Sequence, residues 1–161
     1  MEVKIVPAYR NLAETRALFS EYTDMLVRED PAVKEYLEIQ GYGQERERPE
    51  MKYGPPDGRL YLALCGGRPA GCAGLRKLDS ETGELKRLYV RPAFRGQQIG
   101  SLLLARIIAD AKEIGYARLM LDTLPFLESA VRLYKKYGFY ETESYNESPM
   151  NTSIYMRLDL R

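Results

Sequence analysis

Between residues 84 and 123 the side-chain pattern changes period twice, from two to 3.6 and back to two. Residues 84–90 alternate as a strand. Residues 100–114 repeat apolar side chains at helical spacing, with Leu103, Ile107 and Ile114 on one face and Leu104, Ile108 and Ala111 beside it. Residues 117–123 read as a strand again. The connections are short, so the two strands run parallel, joined through the helix as a β-α-β unit. That unit commits the chain to an α/β fold. With 161 residues there is room for about one domain, read as spanning 1–161.

The flanking segments fill in the sheet. Residues 2–6 read as a strand and 9–29 as a helix whose Leu12, Phe19, Tyr22 and Leu26 follow helical spacing. Pro31 restarts the chain into a second helical piece ending near Gln40. Residues 41–58 are punctuated by glycine and proline and read as loop, with 45–50 able to form a short helix. Residues 59–65, 69–78 and 84–90 form an antiparallel meander, turning at Gly66-Gly67 and over 79–83. A helix at 127–137 and strands at 139–143 and 153–160 complete the chain. The expected fold is a mixed sheet, a meander followed by β-α-β with two parallel strands, flanked by helices.

The composition removes whole reaction classes. No histidine is present, which excludes Ser-His-Asp and Cys-His catalysis and His-ligated zinc. Acid–base work falls to carboxylates, phenols, lysines, a thiol or water. Cys65 and Cys72 form no C-x-x-C pair and read as small buried hydrophobes, with one disulfide as the alternative. No metal site is expected. The net charge of +1 argues against nucleic acid as a partner. No signal peptide or membrane span is evident, so a soluble cytoplasmic protein without a membrane partner is expected.

The strand at 84–90 feeds a loop, Arg95-Gly96-Gln97-Gln98-Ile99-Gly100-Ser101, that opens directly into the long helix. Free N–H groups and the positive end of the helix dipole make such a start an anion site suited to a pyrophosphate. Lys86, Arg87, Arg91 and Arg95 concentrate positive charge around it. The loop is neither a Walker loop nor a dinucleotide fingerprint.

The segment resembles the acetyl-CoA-binding motif of the GNAT family of N-acetyltransferases, Arg/Gln-x-x-Gly-x-Gly/Ala after a strand and a Val-x-Pro turn. Arg95, Gly100 and Val90-Arg91-Pro92 match, while Gln98 stands in place of the middle glycine. A second match follows, Ala130-Val-Arg-Leu-Tyr134-Lys-Lys-Tyr-Gly138-Phe139, similar to the family's A-x-x-L-Y-x-x-x-G-F signature. The likeness covers roughly residues 59–160.

The resemblance implies an acetyl-CoA-dependent N-acetyltransferase acting on an amine by direct transfer in a ternary complex. The acceptor, a small molecule or a peptide or protein amine, is left open. It implies acetyl-CoA held by Leu88, Tyr89 and Val90 along the strand and by Arg95, Gly96, Gln97, Gln98, Ile99, Gly100 and Ser101 at the loop. Ser129 faces the nucleotide. It also implies two splayed parallel strands and a homodimer. Glu84 is the candidate base, or else a solvated carboxylate paired with Lys86; strand alternation puts it on one face with Leu88. Tyr134 is the candidate acid toward the leaving sulfur, or else a core aromatic. The acceptor pocket falls on residues 19–58 and 143–152. The alternative function is a non-catalytic acyl-CoA-binding regulatory module.

Overall fold

The computed structural model describes residues 1–161. Strand β1 (Val3–Pro7) pairs antiparallel with β2 (Arg59–Cys65), which hairpins into β3 (Arg68–Asp79) and then β4 (Thr82–Val90). Helix α1 (Leu12–Glu29) and three short helices, α2 (Val33–Ile39), α3 (Tyr42–Glu47) and α4 (Pro49–Lys52), lie between β1 and β2 in the chain. Past β4, a 3-10 turn at Pro92–Phe94 leads into α5 (Ile99–Ile114), β5 (Arg118–Thr123), α6 (Glu128–Lys136), β6 (Tyr140–Thr142) and β7 (Ile154–Asp159). The sheet order is β1-β2-β3-β4-β5-β7-β6, with β4 and β5 parallel as expected and the rest antiparallel.

Alternation along β2 shows how one sheet serves two cores. Tyr61, Ala63 and Cys65 point into the larger core with Leu103, Leu104 and Ile107 of α5. Leu60 and Leu62 point to the opposite core, with Leu18 and Phe19 of α1 and Tyr53. A side chain at Gly74 would strike the Tyr53 ring at 2.8 Å, so the bare backbone lets that ring pack close against β3. A third cluster joins Leu26 of α1 and Val33, Tyr36 and Leu37 of α2 to Leu124 and Met150. Both cysteines are buried and free of any disulfide. No helix is long and apolar enough to cross a membrane.

Three expectations change. The 41–58 segment folds into two short helices rather than one, broken at Arg48 because Pro49 restrains the residue before it and then opens α4. The second meander turn is shorter than expected, since β3 runs to Asp79 and β4 begins at Thr82. The strict alternation expected for 84–90 also fails. Arg87 sits at φ 61° in a bulge, where the β3–β4 register shifts between Cys72↔Tyr89 and Gly74↔Lys86. Leu88 therefore packs with the α5 core while Glu84 faces the helices on the other side, so the two do not share a face.

The bulge aims Arg87 into the α1–α4 layer. Its Nε donates to Glu45 Oε2 at 2.6 Å and its Nη2 to Glu45 Oε1 at 2.9 Å and to Gln40 Oε1 at 2.8 Å. Lys52 Nζ (2.7 Å) and the Tyr53 hydroxyl (2.8 Å) complete the shell around Glu45. Burial alone would raise the Glu45 pKa, but the Arg87 and Lys52 charges overcome it and hold the carboxyl at about 2. Glu45→Gln leaves Arg87 charged and unpaired inside the protein. It is expected to lower the unfolding free energy by about 3–5 kcal/mol in a urea melt. The stabilisation that Glu45 confers is complete above its unfolded pKa and is lost as pH falls toward about 2. Melting temperatures measured down through that acid range should fall more steeply for the native chain than for Glu45→Gln.

Candidate active site

Strands β4 and β5 pair only through Thr82↔Arg118, Gly83↔Leu119 and Glu84↔Met120. Beyond that register they diverge, β4 running on to Val90 and β5 to Thr123. An inner cavity of about 50 Å³ opens in the splay, with Lys86, Leu88, Asp122 and Tyr134 in its wall. The Arg95–Ser101 loop follows the end of β4 and leads into α5. Gln98 caps α5 in the left-handed conformation (φ 64°, ψ 18°), and no side chain caps the helix. Leu102 is the first residue to close a helical bond, onto the Gln98 carbonyl at 3.0 Å. The amides of Ile99, Gly100 and Ser101 thus stand without intrahelical acceptors at the positive end of the dipole. A non-glycine residue held left-handed costs about 1–2 kcal/mol, so Gln98 carries strain that a glycine there would not.

The loop residues differ in what they offer. Arg95, Gly96 and Gln98 are exposed, and Gly96 is at φ 83°. Gln97 turns inward, its Oε1 accepting from Cys65 Sγ at 3.3 Å. Ile99 is buried in the α5 core and presents only its backbone. Ser101 is half-buried, and its carbonyl accepts from the Tyr137 hydroxyl at 3.3 Å. A Cβ on Gly100 would lie 3.4 Å from Leu133 of α6, an ordinary contact. Ser129 is exposed one turn earlier on α6, accepting from Arg132 Nη2 at 3.3 Å. Leu88 and Val90 are half-buried along the splayed edge, whereas the Tyr89 ring packs away from it, 5.6 Å from Tyr22.

The expected basic cluster around this loop is not assembled. Arg87 is committed to Glu45, and Arg91 is clasped by Glu21 through Nε at 2.9 Å and Nη2 at 2.6 Å. Lys86 is 8% exposed and lies beyond the bulge. Of the four cations, Arg95 alone remains free at the loop. A sequence count cannot see that the bulge turns its neighbours inward.

Tyr134 closes the inner cavity from α6. Its ring lies 5.7 Å from Phe139, and the amides of Phe139 and Gly138 bond back to Tyr134 and Lys135 (both 3.0 Å). Gly138 takes φ 100°, the left-handed step this helix ending requires. The L-Y-x-x-x-G-F pattern is therefore a helix stop that fixes the tyrosine's position. Burial keeps the Tyr134 phenol protonated well above its ordinary pKa, with smaller contributions from Tyr22 and Asp122.

Glu84 is 2% exposed. It is not a solvated carboxylate paired with Lys86. Instead Arg76, directly across the β3–β4 ladder, donates Nε to Oε1 at 2.6 Å, and the Tyr145 hydroxyl donates to Oε2 at 2.6 Å. Burial pushes its pKa up, but Lys86, Arg76 and these two hydrogen bonds outweigh it and hold the carboxyl below its ordinary value.

A second, outer cavity of about 640 Å³ meets the first at Tyr36, Gln40 and Lys86. It lies between α2–α4, the β3–β4 ladder and residues 145–147, within the segments expected to hold an acceptor. A polar network floors the junction. Tyr36 donates to Asp122, and Asn146 Nδ2 donates to Asp122 Oδ2 at 3.0 Å and to the Tyr36 hydroxyl at 2.8 Å. From the sequence Lys86 reads as part of the basic cluster at the loop or as a partner of Glu84, not as a residue at the junction of two cavities; Arg76, Tyr36 and Asn146 carry no local signal that marks them out. No group of His, Cys, Asp and Glu side chains is arranged to hold a metal ion.

The model of the acetyltransferase (GNAT) family matches residues 17–139. An uncharacterized N-acetyltransferase of Schizosaccharomyces pombe is 40% identical over 137 residues, covering 80% of this chain and 84% of that protein. The crystal structure of a GNAT-family acetyltransferase from Staphylococcus aureus Mu50 aligns with a TM-score of 0.77 over 99% of this chain and 100% of its own, at 20% identity. A GNAT-family acetyltransferase from Elizabethkingia anophelis, solved with acetyl-CoA bound, is 32% identical with a TM-score of 0.55, covering 64% of this chain and 76% of that one. The match runs from α1 through the Tyr134 signature: this chain belongs to the acetyltransferase (GNAT) family.

Proposed function

We propose that the protein transfers an acetyl group from acetyl-CoA to a primary amine by direct transfer in a ternary complex. The observation that carries this reading is the meeting of two cavities at Lys86, one in the splay between β4 and β5 and one among the helices before β2, on a chain whose α5 starts uncapped. The donor set suits a pyrophosphate-bearing thioester: three free amides, the exposed Arg95, and the unpaired strand edge past Glu84. The acetyl-CoA complex of the 32%-identical relative supports the same ligand. When bound, acetyl-CoA supplies an activated acetyl thioester.

The chain's own groups then have separable tasks. The Ile99, Gly100 and Ser101 amides bind phosphate oxygens, with Arg95, Gly96, Gln97 and Gln98 shaping the loop and Ser129 flanking it. The backbone of Leu88, Tyr89 and Val90 pairs with the pantetheine arm as an added strand would. The same backbone donates to the thioester oxygen as charge develops there. The Tyr134 O–H donates to the sulfur. A lysine-like amine is mostly protonated at neutral pH, at a cost of roughly 4–5 kcal/mol for its neutral form. Glu84, held below its ordinary pKa, accepts that proton only transiently and relays it through water in the outer cavity. One C–S bond breaks, one C–N bond forms, and the surplus proton leaves to solvent. The Cys72 thiol, pushed by burial to about 12, is no nucleophile at neutral pH, which favours direct transfer over an acyl-enzyme.

Calorimetry with acetyl-CoA and free-thiol release across an amine panel test this reading. A chain that binds acetyl-CoA yet never releases thiol is instead a regulatory acyl-CoA-binding module. Gly100→Asp is expected to abolish measurable acetyl-CoA binding while the melting temperature stays near that of the native chain, because its Cβ makes only ordinary contacts with Leu133 and Val90 while its carboxylate puts negative charge where phosphate would bind. Tyr134→Phe is expected to lower kcat by about 10–100-fold with acetyl-CoA affinity changed less than about twofold; an unchanged kcat would reduce Tyr134 to packing.

A further inference from the structure

Lys86 is a buried residue whose ammonium, at the border of the two cavities, has no partner in the protein. At 8% exposure, its Nζ makes no hydrogen bond and no ion pair in the protein, and it borders both cavities. Leaving a charge so placed is costly unless something binds it. The carboxylates nearby are already engaged. Glu84 is held by Arg76 and Tyr145, Glu45 by Arg87 and Lys52, and Asp122 by Tyr36 and Asn146. Arg48 and Glu147 both line the outer cavity, exposed and without an ion pair, and offset one another. The charge left without a partner inside this cleft is therefore that of Lys86, opposite to what a purely cationic amine would seek.

We propose that the acceptor amine carries a carboxylate, and that Lys86 is the specificity-determining residue that binds it. This rests on the acetyl-transfer reading above and names its substrate class. Glu84 and Lys86 stand two residues apart on β4 and both face the outer cavity. A zwitterionic acceptor, of the amino-acid kind, meets both charges. Its ammonium approaches Glu84, which keeps unused lone pairs beside the Arg76 and Tyr145 bonds, and its carboxylate accepts from Lys86 Nζ. The remainder of the acceptor extends into the roughly 640 Å³ cavity past Ile39 and Met51. Burial, reinforced by repulsion from Arg87 and opposed by Glu84 and Asp122, brings the Lys86 pKa down to about 8, so the ammonium still predominates at neutral pH. A bound carboxylate would raise that pKa again.

The test compares each standard L-amino acid with its own carboxamide, in two readouts. Dissociation constants are measured by calorimetry on the chain saturated with coenzyme A, and initial rates by thiol release with acetyl-CoA. At least one amino acid is expected to bind at least tenfold tighter than its carboxamide. In Lys86→Met that ratio should fall below twofold, and Lys86→Arg, which keeps the charge, should restore part of it. Equal affinity of every acid and its carboxamide in the native chain overturns the proposal, as does a preference that survives in Lys86→Met. Carboxylate-selective binding without thiol release would uphold the Lys86 subsite and overturn the transfer reading. Thiol release with amides and simple amines alone would do the reverse.

Discussion

A buried ion pair, Arg87 with Glu45, ties the two halves of this protein together. Arg87 occupies the β4 bulge and Glu45 the short helix α3, and neither charge has water to fall back on. Their attraction fixes where the backbone turns. Once it turns, Leu88 and Val90 face the α5 core, and past Glu84 the strand no longer pairs with β5. The same pair holds α3 and, through Lys52 and Tyr53, α4 against the sheet. One contact thus opens the inner cavity and supports the wall of the outer one. Such a pair adds little stability over well-packed apolar residues, and its value here is positional.

Without histidine, the interior makes its reactive groups by burial. Desolvation brings an amine near neutrality at Lys86 and keeps the Tyr134 phenol and the Cys72 thiol protonated. Glu45 and Glu84 are instead held in the charged form, because cationic and hydrogen-bond donors surround each of them.

Much of this was legible in the sequence. The period switch around residues 84–123 and the uncapped helix start followed from local patterning, as did the two motifs that carry the family resemblance. Local rules failed where long-range contacts decide. The Arg87 bulge depends on Glu45, 42 residues away, and no alternation count contains that partner. The same bulge dispersed the cations that proximity in sequence had grouped at the loop. Glu84 stands out in the sequence, but its environment does not, because Arg76 reaches it by strand register and Tyr145 from 61 residues away. The Asp122, Tyr36 and Asn146 network joins three segments whose sequences carry no common mark.

The unfinished edge of β4 has a further consequence. A strand edge that a ligand completes makes the ligand part of the folded state, and stability then grows as RT ln(1 + [L]/Kd) with its free concentration. At about a hundredfold excess over Kd that amounts to about 2.7 kcal/mol, a sizeable share of a typical domain's total. On the proposed reading, in which an acyl donor completes the edge between β4 and β5, the protein's own lifetime and its exposure to proteases would follow how much donor surrounds it.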